Sequence, residues 1–524
     1  MKLRDFSCLM SLTLCTGLVL PPRGTAQEQD QPKPLTTDHT RYRFSDVGTF
    51  GGPVSYLTND ETGTGSPSGV LNDRGSIVSA ADTSIPNPNF PNVCILCPSA
   101  DPLVVNAFLW QNDHLADLGA LPGGNNSWAN WISSNGLIAG YSETGQIDPL
   151  LGVPAIDAVL WKHGQIADLG TIEGGYESAA FAVNNRAQIV GGFVNTIPDP
   201  FSPFGYQVRA FLWNAGLMQD LGTLGGPEAT AYFVNERGQI AGISFINSIA
   251  NSTTGLPTQD PFLWEDGAMI DLGTLGGTFG TPNFLDNTGR VIGQSNLAGD
   301  LSHHPFLWTK AQGMQDLGTF GGSSGQANWM NEKGEIVGFA NSQGDQALFG
   351  FVWQEGKLTN LGTLKNQACS AALGINSKTQ IVGLSSETCS FTASDRHAVL
   401  WDGGYVIDLN TFLPAGVTLQ RLTDAYSIND RGEIAGLGVP AGCNDEFTCG
   451  HVFVLTPCEA EASGEEGCSD DFPDVATAAA QPSTWQPDQS KRDLSAIGLT
   501  PREIAGRMQE RFRRSHGFAI WPQK

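Results

Sequence analysis

The chain has 524 residues, 64 of them Gly and 30 Pro, with 40% hydrophobic and only 15% charged residues. This turn-rich, sparsely charged composition fits an all-β protein better than a helical or a disordered one. A formal net charge of −25 argues against nucleic acid and anionic lipid, and leaves cations and neutral or basic partners open.

From the N-terminus, Lys2 and Arg4 precede an apolar run, Phe6 to Leu20, that is too short to favour a membrane span. Gly24-Thr25-Ala26 then supplies small residues for cleavage, so residues 1–26 read as a secretory signal peptide, an uncleaved anchor being the alternative. Cys15 lacks the small preceding residue of a lipoprotein cut. Cleavage after Ala26 takes the charge from −25 to −27, a net loss of two positive charges. Residues 27–41 read as a linker, and no later stretch is long enough to cross a membrane.

From residue 42 to 456 one unit recurs. Seven tryptophans close strand-like runs, from Ala107-Phe108-Leu109-Trp110 to Ala398-Val399-Leu400-Trp401, at spacings of 51, 52, 51, 44, 45 and 48 residues. Seven or eight residues after each Trp comes Asp-Leu-Gly or a near copy, at Asp117, Asp168, Asp220, Asp271, Asp316, Asn360 and Asp408. An apolar-Asn turn and an Ile-x-Gly strand complete the unit, as in Val234-Asn235-Glu236-Arg237-Gly238-Gln239-Ile240-Ala241-Gly242. Each unit therefore predicts four short antiparallel strands: a (the Trp run), b (ending Asp-Leu-Gly), c (ending at Asn) and d. In the c–d turn Asn opens the corner and Gly closes it in the left-handed region.

The two ends complement each other. Tyr42 to Gly48 reads as a strand b and Leu71 to Val78 as c–d, with no strand a before them; His451 to Leu455 reads as a strand a with no b after it. The sum is eight units, so the prediction is an all-β, eight-bladed β-propeller closed by its termini, which removes exposed sheet edges. The order of strands within a blade stays open, as a-b-c-d or c-d-a-b.

These motifs resemble the extracellular repeat of the HAF type, named for a His-Ala-Phe start of strand a. The resemblance covers about residues 42 to 456 and is close over Asp-Leu-Gly-Thr-Leu-Gly-Gly and Asn-x-x-Gly-x-Ile-x-Gly. The His survives as His304, His397 and His451, with Asn106, Asp157, Arg209, Asp260 and Phe349 elsewhere. It implies an exported repeat protein and supplies no catalytic residue. Eight units rich in Trp also resemble quinone-dependent alcohol dehydrogenases, but the adjacent Cys-Cys pair of those enzymes is missing, and no cofactor is expected.

Antiparallel order puts the a–b and c–d turns at one end of the sheets and the b–c and d–a links at the other. Four d–a links are long, Ser79 to Val105, Tyr141 to Ile156, Gly192 to Val208 and Ile243 to Gln259, and offer Phe90, Phe201, Phe204 and Tyr206 as contact groups. Loops that vary because nothing constrains them are the plainer explanation. Eight cysteines remain after cleavage, an even set that suits an oxidising compartment. Their positions favour structural disulfides: Cys94–Cys97, Cys369–Cys389, Cys443–Cys449 and Cys458–Cys468. The aspartates, recurring at one offset, read as turn formers rather than a ring of metal ligands. His303-His304 reads as the start of a strand, without acidic ligands near it in sequence.

Catalysis needs asymmetry, groups of different pKa meeting in one place, and no such cluster is legible. The function expected is a secreted, monomeric, non-catalytic binding or scaffold protein, extracellular or periplasmic, holding a protein or glycan ligand. An exported polysaccharide hydrolase or lyase with a central cleft is the alternative. Residues 457–492 read as an acidic stretch and a Pro/Gln/Ala linker. Residues 493–524 read as a basic tail, where Thr500-Pro501-Arg502-Glu503 opens a short amphipathic helix.

Overall fold

The computed structural model describes residues 41–57, 69–97, 101–172, 174–252, 254–389, 395–443, 446–458 and 468. The chain divides into Met1–Asp38 and His39–Lys524, and all described residues belong to the second unit. The signal peptide, most of the 27–41 linker and the basic tail lie outside them.

The described residues are almost wholly strand, with one helical turn at Glu446–Cys449 and two short 3-10 segments. Their strands form antiparallel sets of four, ordered c-d-a-b. The third set shows the pattern: Glu177–Val183, Ile189–Pro198, Tyr206–Asn214 and Leu217–Asp220. The first, second and seventh sets, within 51–117, 127–170 and 369–408, are likewise separate four-stranded sheets. The fourth, fifth and sixth, within 229–271, 276–316 and 321–360, are joined into one twelve-stranded sheet.

That merger departs from the uniform sets predicted, and its cause is local. In the fifth and sixth sets strand c lengthens to ten residues through Gly276-Gly277 and Gly321-Gly322. Each then touches the preceding strand a through one parallel pair, Gln259↔Phe279 and His303↔Ser324. In the last set His451–Pro457 lies between Ile434–Pro440 and the N-terminal strand Tyr42–Asp46, paired from Tyr42↔Pro457 to Asp46↔Phe453. Of the two strand orders left open, c-d-a-b is therefore the one adopted.

Three devices build each set. The Phe of strand a is fully buried wherever it occurs (Phe108, Phe211, Phe262, Phe306, Phe351 and Phe453), more consistently than the Trp beside it. Strand c carries a register shift after its third or fourth paired residue, as at Ala180/Ala182 and Ala231/Phe233. Opposite that bulge stands the glycine of Ile-x-Gly. A Cβ on Gly140, Gly191, Gly242, Gly293, Gly338, Gly383 or Gly436 would run into a strand-c carbonyl oxygen. In the first set Ser79 takes this place, and strand c is split: Gly51–Tyr56 forms the strand, while Leu71 makes only an isolated bridge to Ile77. The predicted strand c at Leu71 is thus displaced toward the N-terminus.

The third device links one set to the next. The turn Asn accepts backbone N–H groups through Oδ1 and donates through Nδ2 to a turn carbonyl of the following set. Asn184 reaches Asn235 (2.9 Å), Asn235 reaches Asp286 (2.8 Å), Asn331 reaches Asn376 (3.0 Å) and Asn376 reaches Asn429 (3.1 Å). Asn429 in turn reaches the carbonyl of Asn72, 357 residues away, at 3.0 Å.

Candidate functional site

At the end bearing the b–c and d–a links, a polar residue at or just before the start of strand c accepts the N–H of strand a in the preceding set. Asn126 accepts from Val105 (2.9 Å), Glu177 from Ile156 (3.0 Å) and Glu228 from Val208 (3.4 Å). A neutral amide meets this need at Asn126. Glu177 and Glu228 meet it with carboxyl groups that are at least nine-tenths shielded from solvent, where an unpaired charge is costly. They stay neutral instead. Burial, helped by Asp148 and Asp157, pushes Glu177 up to about 10. Burial, helped by Asp199, pushes Glu228 up to about 8, against hydrogen bonds from Ser202 and Val208 that favour the charge.

Both groups border narrow apolar clefts that adjoin. One is lined by Ile95, Ile156, Glu177, Phe181, Phe204 and Tyr232, the other by Pro203, Glu228, Tyr232, Phe245 and Gln259; Val208 and Thr230 belong to both. The Cys94–Cys97 loop roofs the first cleft through Ile95 and Leu96, and the Tyr141 hydroxyl anchors it by donating to the Leu96 carbonyl at 2.7 Å. The long links are shorter than the sequence suggested. In three of the four, strand d runs on to Pro86, Ile147 and Pro198, each with a register shift near its end, whereas the fourth keeps its loop from 246 to 258. Of the four aromatic contact groups expected there, Phe204 lines the cleft. Phe90 is exposed and lines neither cleft, Phe201 lies in the 199–205 loop, and Tyr206 is the first residue of a strand a rather than a loop residue.

Two more clusters of buried charge occupy this end. Asp82 is pushed up to about 8 by burial and by Asp101, whose Oδ2 accepts the Tyr56 hydroxyl at 2.9 Å. Arg396 lies buried between Asp424 (3.3 Å) and Glu446, and holds them in a closed ion triad. Burial pushes Asp424 up to about 6 despite Arg396. The absence of an asymmetric acid cluster, expected from sequence, is corrected by these groups. They come from different sets and share no motif, Asp82 and Asp424 lying within strands and Glu446 in the helical turn, so only the fold gives each its buried neighbours.

All four disulfides pair as their positions suggested. Cys94, Cys97 and Glu143 lie close enough to share a metal, but the two sulfurs are bonded to each other and neither offers a thiolate. The Asp-Leu-Gly carboxylates accept the N–H two residues on, from Asp46 to Gly48 (2.9 Å) through Asp316 to Gly318 (2.7 Å), and Asn360 does the same for Gly362 (2.7 Å). His303-His304 opens a strand as the sequence suggested, and the His304 Nδ1 lies 2.8 Å from Asp316 on the neighbouring strand. Among the described residues no helix is long and apolar enough to cross a membrane.

No family model matches the chain, and no curated protein does. Solved structures do. The β-propeller domain of the Trilobed protease from Pyrococcus furiosus is 10% identical over 58% of this chain and 89% of that one, at a TM-score of 0.35. The acylaminoacyl peptidase of Pyrococcus horikoshii is 12% identical over 70% of this chain and 56% of its own, at 0.36. A gluconolactonase of Xanthomonas campestris is 12% identical over 52% and 83%, at 0.25. This chain therefore spans little more than half of the acylaminoacyl peptidase. These are enzymes or parts of enzymes, neither inert scaffolds nor polysaccharide hydrolases. With the buried acids, that finding corrects the expectation of a non-catalytic binding protein and its polysaccharide-cleaving alternative. At such TM-scores no residue role is carried over.

Proposed function

We propose that the chain is an exported enzyme whose site is the pair of clefts between Ile95, Phe204, Tyr232 and Phe245, working by proton transfer at Glu228. The observation that carries this reading is a buried carboxyl beside an apolar cleft, held near pH 8. A group poised close to the working pH is the effective general acid or base. In hydrolysis of a carbonyl compound, water adds to the carbonyl carbon while the Glu228 proton passes to the leaving group, and a proton from the water then restores the acid. Glu177, neutral at higher pH still, serves as a fixed hydrogen-bond donor to the carbonyl oxygen.

The frame is inferred to be eight blades in one ring, with Tyr42–Asp46 as the outer strand of the last blade. The Tyr42↔Pro457 register and the Asn429–Asn72 link support this. Export is inferred from Lys2 to Ala26 and the four disulfides, and kinship with HAF-type repeats from the recurring motifs.

The test is a panel of chromogenic peptide, ester and lactone substrates offered to the chain from residue 27 on. Turnover of at least one is expected, falling about 10²-fold or more in Glu228→Gln. Turnover that Glu228→Gln leaves unchanged, or no turnover across the panel, overturns the reading.

A further inference from the structure

The exposed aliphatic side chains are not scattered. Ile85, Ile147, Ile197, Ile249 and Leu301 are each more than half exposed. Each lies on a d–a link or the strand end leading into it, one in each of the first five sets. Ile85 and Ile197 hold the same place, just before the last paired residue of strand d (Pro86↔Leu103 and Pro198↔Tyr206). Ile147 is that paired residue in the set between them (Ile147↔Pro154). Among the described residues the last three sets expose no large apolar side chain. A single exposed isoleucine is ordinary on a surface, whereas an apolar crest repeated at one end of five consecutive sets marks an interaction site.

Charge divides along the same line. Between residues 75 and 309, Lys162, Arg186, Arg237 and Arg290 all lie at the a–b or c–d turns, and Arg209 alone lies at the end with the crest. That end carries the exposed Asp117, Asp168, Asp220, Asp271 and Asp316, one for each set with a crest. In the sixth set Asn360 replaces the aspartate, and in the last two Asp408 and Asp46 are half-buried against His397 and His451. The surface therefore fits a segment that is apolar on one face and cationic beside it.

Residues 500–514 of this chain have that composition. Ile504, Met508 and Phe512 recur at every fourth residue, among five Arg and two Glu. They lie outside the described residues, beyond Cys468, which is bonded to Cys458 just past the last strand a. Residues 469–499 span up to about 100 Å when extended. The ten-residue strand Ile77–Pro86 spans only about 33 Å, so the segment can reach from the turn end to the crest end. Tethering to the same chain raises its effective concentration there.

We propose that residues 500–514 dock, apolar face down, on the crest formed by the hairpin ends of the first five sets. Docking there does not depend on the reaction proposed at Glu228.

The test is photo-crosslinking in the full chain from residue 27, with Phe512→benzoylphenylalanine irradiated at low micromolar concentration and the adducts mapped by mass spectrometry. Adducts within single chains are expected on the links and strand ends that carry the crest. Their yield is expected to fall about fivefold or more in Ile147→Ser/Ile197→Ser, whose exposed side chains lie outside the core, and likewise in Arg507→Glu/Arg511→Glu. Adducts at the a–b or c–d turns, adducts only between chains, no adducts, or a yield unchanged in either double variant overturns the proposal.

Discussion

The second to fourth sets and the fifth to sixth share one strand order, one bulge-and-glycine device and one Asp-Leu-Gly turn, yet their b–c/d–a ends differ in kind. In the fifth and sixth, short links and Gly-Gly extensions bring strand c against the preceding strand a, and the gap is closed by backbone. In the second to fourth, the hairpin of the preceding set runs past the sheet, exposing Ile85, Ile147 and Ile197, and the joint is left to single side chains: Asn126, Glu177 and Glu228. Where side chains close it, apolar clefts persist and buried acids border them. A repeat frame acquires asymmetry by lengthening a few links, and asymmetry is what acid–base chemistry requires.

The largest effect expected lies in the frame common to both regions. Deleting Tyr42–Asp46 strips the last set of its outer strand and exposes the edge of His451–Pro457. Loss of the single cooperative melting transition is expected by calorimetry, and an unchanged transition sinks the closure. Next comes Phe262→Ala against Phe306→Ala, one from each region. Both side chains are fully buried, so each is expected to cost about 3–5 kcal/mol in chemical denaturation. A cost under 1 kcal/mol for either removes Phe as the anchor. Gly242→Ala is expected to cost about 1–3 kcal/mol, because the new methyl meets the Thr230 carbonyl.

A smaller effect separates the regions by pH. Unfolded, Glu228 gives up its proton near pH 4.3; folded, it keeps it to about 8. Between those values the folded state binds the extra proton, so stability is full below the window and falls as pH rises through it. Glu177 and Asp82 act in the same direction. Glu228→Gln is therefore expected to flatten the decline in melting temperature between pH 5 and 8, and an unaltered slope removes Glu228 as the cause. The smallest effect is Asp316→Asn, expected to cost under about 1 kcal/mol because the pair with His304 is partly exposed.

Much of the frame is legible in the sequence because it repeats. The Trp spacing marks the units, the Asn-x-x-Gly turns mark the c–d corners, and cysteine positions mark the disulfides. What a residue does between units is not legible. Asn235 reads as a turn former, yet its Nδ2 also binds the next set, and no spacing reveals a donor aimed across 51 residues. Gly242 reads as a strand ending until the bulge opposite it is seen. Nothing in Pro227-Glu228-Ala229 marks the strand of another set that buries Glu228. Strand order was open for the same reason, because pairing across a sheet leaves no trace in a single repeat.

The ionisation of Glu228 tests the account most directly. With glutamate carboxyl carbons ¹³C-labelled, NMR titration from pH 4 to 10 is expected to show a signal with a midpoint near 8 that disappears in Glu228→Gln, and a second, still higher, that disappears in Glu177→Gln. If every glutamate signal completes its titration below pH 6, the buried acids are ordinary carboxylates and the site proposed here does not exist.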